Sequence, residues 1–449
     1  MNFRIAMPVL ILAMIFLMGP GLFAESAIQN APVGQLPVEP HPTGSQALKN
    51  TDTVQILSLK ELIDEAMQRN PGLKAANQRV KAADSRIPQE RWSLPDPMVG
   101  VDIEGRPRNP ANFTDYMDIE YMVEQEIPNP LKLWMRGRVA GKERDMTQAS
   151  YSSRERKLIA DIKSAYYDLF MIDRSIEVNR QTKDLLTQFH KSAESRYTTG
   201  KAGQPDVLKA QVEITKLMNE LVTLDQQKQT AAARLNVLLN RPTRMSLGTT
   251  LRSEKSQARS LNWEELEKKT LENSPDLKGM DSAIQRQESA LRLAEFEYLP
   301  DFKLRSENRQ IKNEGLQEYD AFLGVTIPLW GFGKQRNQVK GAKAILEEAK
   351  ANYQEMKNAV LFELQDALVR VESNHRLKAL YETSVLPQAQ QSLKSAVAGY
   401  ESDRNDFLTL IDAQRNLKTF HLEYYDAVAK LEQSFADLER TVGTDLEVL

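Results

Sequence analysis

Leu57–Lys74 reads LSLKELIDEAMQRNPGLK, Leu261–Lys278 reads LNWEELEKKTLENSPDLK, and the agreement between them decides the fold. The two stretches share Leu57/Leu261, Glu61/Glu265, Leu62/Leu266, Pro71/Pro275, Leu73/Leu277 and Lys74/Lys278. Later landmarks keep the same order in both halves. LPD occurs at Leu94–Asp96 and Leu299–Asp301, Ile-Pro at Ile127-Pro128 and Ile327-Pro328, and Ala-Gln at Ala210-Gln211 and Ala413-Gln414. Solenoid repeats have periods of only roughly 20 to 50 residues, so each copy here is a domain-sized unit. Neither copy contains a plausible catalytic centre, which points to a repeated architectural part.

Outward from the first copy, the chain begins with a segment that carries one charge, Arg4, before Glu25. Its apolar run, Val9 to Met18, is shorter than the ~20 residues of a spanning helix, and Gly19, Pro20 and Gly21 break it before Ala24. The pattern predicts a secretory signal peptide over residues 1–24. Residues 25–56 turn to Pro, Gly, Ala, Gln and Ser, with Pro32, Pro37, Pro40 and Pro42, and are expected to form an extended tether. The two copies then occupy 57–255 and 256–449. With no cysteine in the chain, disulfides, thiol chemistry, cysteine metal sites and lipidation of a signal-proximal cysteine are excluded. The net charge of −3, or −4 once Arg4 leaves with the signal, gives no support for nucleic-acid binding.

From Lys142 to Thr199 there is neither glycine nor proline. Leu158, Ile162, Ala165, Leu169, Ile172 and Ile176 alternate steps of four and three, as do Ala210, Ile214, Leu217, Leu221, Leu224, Lys228, Ala231, Leu235 and Leu238. Leu417, His421, Tyr424, Val428, Leu431, Phe435, Leu438 and Val442 repeat the pattern in the second copy. A sustained 3.5-residue period predicts helices packed as coiled coils. At 1.5 Å per residue the Lys142–Thr199 stretch reaches roughly 87 Å, so an elongated body is expected. His190, His375 and His421 fall on these helices as seam or surface residues.

Between the helices the period changes to two. Met117, Ile119, Tyr121, Val123 and Ile127 alternate with Tyr116, Asp118, Glu120, Met122, Glu124 and Glu126, which is a strand with one apolar and one wet, acidic face. Tyr319, Ala321, Leu323, Val325 and Ile327 give its counterpart, and weaker strands are expected over Met98–Glu104 and Phe302–Glu307. Ten-residue alternating strands suit a membrane barrel as well as a half-buried soluble sheet. Four strands per chain are too few for a barrel, which needs about eight or more, and open edges are not tolerated in lipid. Strands entering a membrane would therefore have to be pooled by several chains, with the heptad helices assembling them side by side.

These residues resemble the TolC-like outer-membrane efflux proteins from Leu57 to the C-terminus. The motifs that carry the resemblance are the paired openings, LPDP and LPDF, the strand ends EQEIPNPLKL and GVTIPLWGFGK, and the helical turns YTTGKAGQPDVLKAQ and YESDRNDFLTLIDAQRNL. The LPDP and EQEIPNP forms look closest to the heavy-metal efflux branch. The resemblance implies a mainly α fold with a small β part: a homotrimer pooling four strands per chain into a 12-stranded outer-membrane barrel, continued by a long periplasmic helical tunnel. It implies no cofactor, and it implies a periplasmic adaptor and an inner-membrane pump as partners. The adaptor contacts carried over are Tyr197, Gly200, Gly203, Asp206, Val207 and Leu208 in the first turn, and Asp403, Phe407 and Leu408 in the second. Asp403 stands where the family commonly has glycine, so a tighter or altered loop is expected there. The entrance of some members is held shut by a Tyr, an Arg and two Asp. Tyr400 and Asp412 match, whereas Asn405 and Thr409 replace the Arg and one Asp, so looser closure is expected.

A duct performs no bond chemistry, and its acids Asp102, Glu104, Asp118, Glu120, Glu124 and Glu126 are expected to line the lumen, either favouring cations or merely keeping the wall hydrated. Enzyme readings fail on the residues. At Gly331–Lys334, GFGK has Pro328 where a phosphate loop needs its first glycine and Gln335 where it needs Ser or Thr. No HExxH cluster exists for a metal, and Met98, Met117 and Met122 are read as packing. A periplasmic coiled-coil adaptor or scaffold would explain the signal and the heptads, but not strands set between long helices in both copies. Trp134 and Trp330, near strand ends, are the candidates for a membrane-interface belt.

Overall fold

The computed structural model describes residues 56–104, 118–250, 262–311 and 316–446, all within the unit Val54–Leu449. The signal, most of the tether, Tyr116, Met117 and the junction between the copies at 255–256 lie outside the described residues.

The repeat of the sequence is a repeat of structure. The first copy runs β1 (Ile56–Leu57), α1 (Leu59–Arg69), α2 (Pro71–Arg91), β2 (Met98–Glu104), β3 (Asp118–Ile127), α3 (Pro130–Thr198) and α4 (Gln204–Leu238). The second runs β4 (Thr249–Thr250), α5 (Trp263–Asn273), α6 (Pro275–Phe296), β5 (Asp301–Ile311), β6 (Leu316–Thr326), α7 (Lys334–Leu380), α8 (Leu386–Glu401) and α9 (Phe407–Val442). The shared prolines have a shared use. Pro71 and Pro275 each open a helix, where the absent N–H costs nothing and the fixed φ suits the first turn. Asn70 caps the first by accepting from the Leu73 N–H at 3.0 Å.

Helix α3 extends over 69 residues, or about 104 Å at 1.5 Å per residue. It starts at Pro130 rather than Lys142, because Gly137 and Gly141 are accommodated inside it. Its counterpart is interrupted. Between α7 and α8, Tyr381–Val385 forms a π-turn in which the Leu386 N–H donates to the Tyr381 carbonyl. The cause is one residue further on: Pro387 lacks an N–H, and in a regular helix its ring would meet the Thr383 carbonyl. The wider turn takes up that conflict.

The apolar seams form three clusters. One gathers Leu57, Leu62, Ile162, Leu169, Phe170 and Leu235, and its counterpart in the second copy gathers Leu266, Leu364, Leu368, Leu431, Leu438 and Val442. The third, near the helix ends, joins Leu186, Phe189, Ala193 and Ala210 to Tyr400, Phe407 and Leu410. The heptad reading corresponds to buried positions from Leu158 to Leu169 and then drifts. Ile172 and Ile176 are half-buried, and Ser175, Val178, Asn179, Thr182 and Leu186 take the inner positions. A straight 3.6-residue helix slips about 20° per heptad against a 3.5-residue pattern, which moves the stripe.

The four long strands make one antiparallel sheet in the order β2-β3-β5-β6. β5 and β6 pair over eleven residues, so Phe302–Glu307 was too short a reading. β1 and β4 form a separate two-residue parallel pair that joins the openings of the copies, with Ile56 opposite Thr249.

Candidate duct wall and helical tips

Register sorts the sheet into two chemically opposed faces, since residues paired across antiparallel strands point to the same side. Ile119, Tyr121 and Val123 share one face with Val99, Val101 and Ile103 of β2, Phe302 and Leu304 of β5, and Tyr319, Leu323 and Val325 of β6. Of these, Val99 and Leu323 are each 70 % exposed, although the segment is apolar. Trp330, in the turn after β6, is 88 % exposed, whereas Trp134 is half covered by Arg138, whose guanidinium carbon lies 5.0 Å from its ring centre.

The other face carries the predicted acids. Asp102 pairs with Glu120 and Glu104 with Asp118, and Glu124 and Glu126 follow on β3; the side chains of Glu104 and Asp118 lie outside the described residues. Neighbouring cations from β5 were missed in the sequence reading. Lys303 Nζ lies 2.7 Å from Glu124 and 3.5 Å from Glu126, Arg305 lies 3.8 Å from Glu124 and 2.5 Å from Glu307, and Arg309 lies 3.2 Å from Glu120. Their alternate spacing in FKLRSENRQ was the available signal. Acids still outnumber cations on this face, because β5 and β6 add Glu307, Glu318 and Asp320. Among the described residues no helix is long and apolar enough to cross a membrane, and no group of His, Asp and Glu has the arrangement of a metal site.

The start of β5 is fastened to the start of α3. Asp301, first residue of β5, accepts the Asn129 N–H at 2.8 Å on one oxygen and the Lys132 ammonium at 2.8 Å on the other. Asn129 caps α3 through the Leu131 N–H and donates its amide to the Pro300 carbonyl. Lys132 is 2 % exposed, with Glu297 as a second carboxylate at 3.6 Å.

At the far ends, the α3–α4 and α8–α9 turns match bond for bond. Lys201 and Ala202 donate to the Arg196 carbonyl, as Arg404 and Asn405 donate to that of Gly399; Gly200 donates to Tyr197 as Asp403 does to Tyr400. Gly200 has φ +74° and Asp403 φ +59°, so Asp403 takes the left-handed conformation of its glycine counterpart and the expected alteration of the loop is absent. Gly203 and Asp406 occupy the two N-cap positions, Asp406 accepting the Thr409 N–H at 2.9 Å. Arg196, unforeseen in the sequence, holds Asp403 in an ion pair and lies 4.8 Å from the Tyr400 ring centre, with a bond to the Glu401 carbonyl. Asp403→Gly is expected to change stability little, as relief of strain offsets loss of the ion pair. Asp403→Ala keeps the strain that Asp403 already bears and loses only the pair, so it is expected to cost up to about 1 kcal/mol, read from the unfolding midpoint.

The four aperture candidates are not brought together within this chain. Tyr400 is buried against Phe407 with ring centres 5.4 Å apart and an unpartnered hydroxyl. Burial, with the charge of Asp206 nearby, raises its pKa. Thr409 serves the α9 cap, Asp412 turns outward to Arg415 at 3.2 Å, and half-buried Asn405 folds over Gly399. Phe407, read as a contact residue, is 1 % exposed and belongs to the core of the tip. Val207 packs on the same cluster, while Tyr197, Leu208 and Leu408 remain on the surface and Asp206 opens α4. Leu208, Val212, Leu408 and Ile411 floor a groove of about 450 Å³ between α4 and α9.

One wall of the groove is closed by Arg415, which grips Glu213 through Nη2 at 2.7 Å and Nε at 3.2 Å. Bonding to Arg415 holds the Glu213 carboxyl below its usual range, against the opposing effect of burial. A lowered folded pKa gives stability that is present above the unfolded value of about 4.5 and lost as pH falls through the folded one. Acid melts are therefore expected to weaken the tip below about pH 4.5, with Glu213→Gln showing a flatter loss; an identical pH profile in the variant would remove Glu213 from that response.

Comparison with known proteins agrees with this geometry. The family model for outer membrane efflux proteins matches residues 62–241 and again 266–444. The chain is 22 % identical to the cobalt-zinc-cadmium resistance protein CzcC of Cupriavidus metallidurans over 86 % of its own length and 90 % of that protein. It is 22 % identical to outer membrane protein OprJ of Pseudomonas aeruginosa, over 86 % of this chain and 84 % of that one. The crystal structure of CusC superposes with a TM-score of 0.75 at 16 % identity, covering 92 % of this chain and 99 % of CusC. The fold is thus TolC-like, with a four-stranded sheet that fits one protomer's share of a trimeric barrel. Since the family model spans most of both repeats, the chain belongs to the outer membrane efflux protein family.

Proposed function

We propose that the chain is the outer-membrane duct of a tripartite efflux system, passively conducting what an inner-membrane pump delivers through a periplasmic adaptor. The observation that carries this reading is the two-faced sheet. An exposed apolar face of this extent is unstable in water, and its free edges at β2 and β6 are not tolerated in lipid. Three copies of the four-stranded sheet give twelve strands, enough to close a membrane barrel and remove both problems. The apolar face then meets lipid and the charged face lines the lumen, while the long helices continue through the periplasm and end at the tips. The groove between α4 and α9, apolar on its floor with Lys209, Lys216 and Arg415 along its margin, is the adaptor-docking surface. A coiled-coil scaffold would leave the apolar face of the sheet without an occupant.

The excess of acids on the inner wall favours cations, and with a cobalt-zinc-cadmium resistance protein among the relatives, heavy-metal cations are the first cargo class to test, ahead of small organic toxicants. The test is the mass of the detergent-solubilised chain and its conductance in a planar bilayer. A trimer that conducts K⁺ in preference to Cl⁻ is expected. A soluble, non-conducting monomer recovered without detergent would overturn the duct, and equal permeability to the two ions would overturn selectivity by the wall alone.

A further inference from the structure

The seam between the two copies inside the chain is a template for a seam between chains. Aligning the copies on LPD, Leu94–Asp96 with Leu299–Asp301, sets β2 on β5, and aligning them on Ile-Pro, Ile127-Pro128 with Ile327-Pro328, sets β3 on β6. The ladder obeys both alignments. Met98 faces Glu124 in the first hairpin, and their counterparts Lys303 and Gly324 face each other in the second. At the other end, Glu104 faces Asp118 as Arg309 faces Glu318. The hairpins join where β3 lies beside β5, with Val123 opposite Ser306 and Glu124 opposite Arg305. The free edges β6 and β2 are the counterparts of those same two strands. Carried over to a second copy of the chain, the seam sets Leu323 opposite Val101 and Gly324 opposite Gly100. Both the apolar and the charged face then continue from one chain into the next, as a register slipped by one residue would not allow.

The junction at the base of the strands transfers in the same way. Within the chain, buried Lys132 at the start of α3 lies 3.6 Å from Glu297, the C-cap of α6. By the same two alignments their counterparts are Phe332, in the turn before α7, and Trp92, the C-cap of α2. Both counterparts are aromatic, and both are bare in the single chain, Phe332 at 90 % and Trp92 at 74 % exposure. The turn that carries Phe332 is tightly wound: Gly331 and Gly333 donate to the Pro328 and Trp330 carbonyls at 3.2 Å each, and Gly331 lies against the Tyr298 ring. Large rings fixed in water at two equivalent places mark a contact surface. The strands change in the same sense, since Lys303 and Arg305, beside Glu124 within the chain, have Met98 and Gly100 as counterparts, and Glu124 has Gly324.

We propose that a second copy docks on the β6 edge in the register of the internal seam, Leu323 of one copy opposite Val101 of the next, and that Phe332 packs on Trp92 across the contact in place of the Lys132–Glu297 pair. This rests on the duct reading, to which it adds the register and the two rings that hold it.

The chain has no cysteine of its own, so introduced pairs report the register directly. Residues opposite each other have Cβ atoms about 4.5–5.5 Å apart and diagonal neighbours about 7–8 Å, and a disulfide needs about 3.5–4.5 Å. Under mild oxidation of the detergent-solubilised trimer, Val101→Cys with Leu323→Cys is expected to give covalent trimers on a denaturing gel. Val99→Cys with Leu323→Cys and Ile103→Cys with Leu323→Cys, each two residues out of register, are expected to stay monomeric. Trp92→Ala and Phe332→Ala are each expected to lower the temperature at which half of the trimer dissociates by about 5 °C. The double variant is expected to lose no more than about that much again in total, because either truncation already removes the contact.

Preferential cross-linking of a slipped pair would overturn the register, as would a trimeric protein in which none of the three pairs cross-links. Parent-like dissociation of both alanine variants, or losses that simply add in the double variant, would overturn the contact between the rings. If the cysteine pairs prevent assembly, the alanine series decides alone. A parent chain that is not trimeric in detergent would instead count against the duct reading.

Discussion

Asp301→Ala is expected to cost about 3 kcal/mol of stability. Its carboxylate is the acceptor for two donors that have few alternatives: the Lys132 ammonium, almost fully buried, and the Asn129 N–H at the mouth of α3. Taking away one partner of a buried charge typically costs about 3–5 kcal/mol because the remaining ion stays desolvated. Glu297, 3.6 Å from the ammonium, compensates in part, which sets the expectation at the lower end. Asp301→Asn keeps an oxygen for the Asn129 N–H and is expected to lose roughly half as much. Denaturant midpoints of the three proteins check this, and a loss below about 1 kcal/mol for the alanine variant would mean that Glu297 or water replaces the contact.

Gly443→Ala is expected to cost about as much, near 3 kcal/mol, for a different reason. The residue ends α9 at φ +83°, a left-handed conformation that costs an L-residue about 1–2 kcal/mol. The added methyl would also stand 2.7 Å from the Asn273 carbonyl oxygen, 3.0 Å from its carbon and 3.1 Å from Cδ of Pro275. These obstacles are backbone and a proline ring, with no rotamer to turn aside, so α9 and the α5–α6 corner have to separate. The corresponding position at the end of α4 is Asn240, at φ +55°, which shows that the left-handed turn itself admits a side chain and that the close corner is what requires glycine. An unfolding midpoint for Gly443→Ala within about 1 kcal/mol of the parent would show that the corner yields easily.

Much of this architecture is legible without coordinates. The shared prolines gave the helix openings, the period of two gave Asp118–Ile127 to within two residues, and the collinear landmarks gave the tandem copies later matched by the family model. What escaped depends on which strand meets which. The acids of β3 were readable as a wet face, but that Glu124 would sit beside Lys303, nearly two hundred residues away, depends on register between the copies. Arg196 looked like an ordinary charge on a long helix, and only the fold of the tip brings it to Asp403 and Tyr400. Buried Ser175, Asn179 and Thr182 were hidden because a heptad count assumes that the seam never drifts. The tip residues were assigned by likeness to a motif, and Tyr400, read into the aperture, packs on Phe407, read as an adaptor contact, a pairing a motif does not encode.

The two unpaired sheet edges, β2 and β6, make the last stage of folding a question of concentration. The helices and the β2-β3-β5-β6 ladder draw on contacts within one chain, whereas in the proposed trimer the outer backbone groups of the edge strands find their partners in neighbouring copies. In the proposed trimer, dilution therefore opposes closure of the barrel while leaving the ladder within each chain intact, and the apparent stability of the closed barrel rises with the amount of chain present. The same edges leave a lone chain with a template that any stray strand can join.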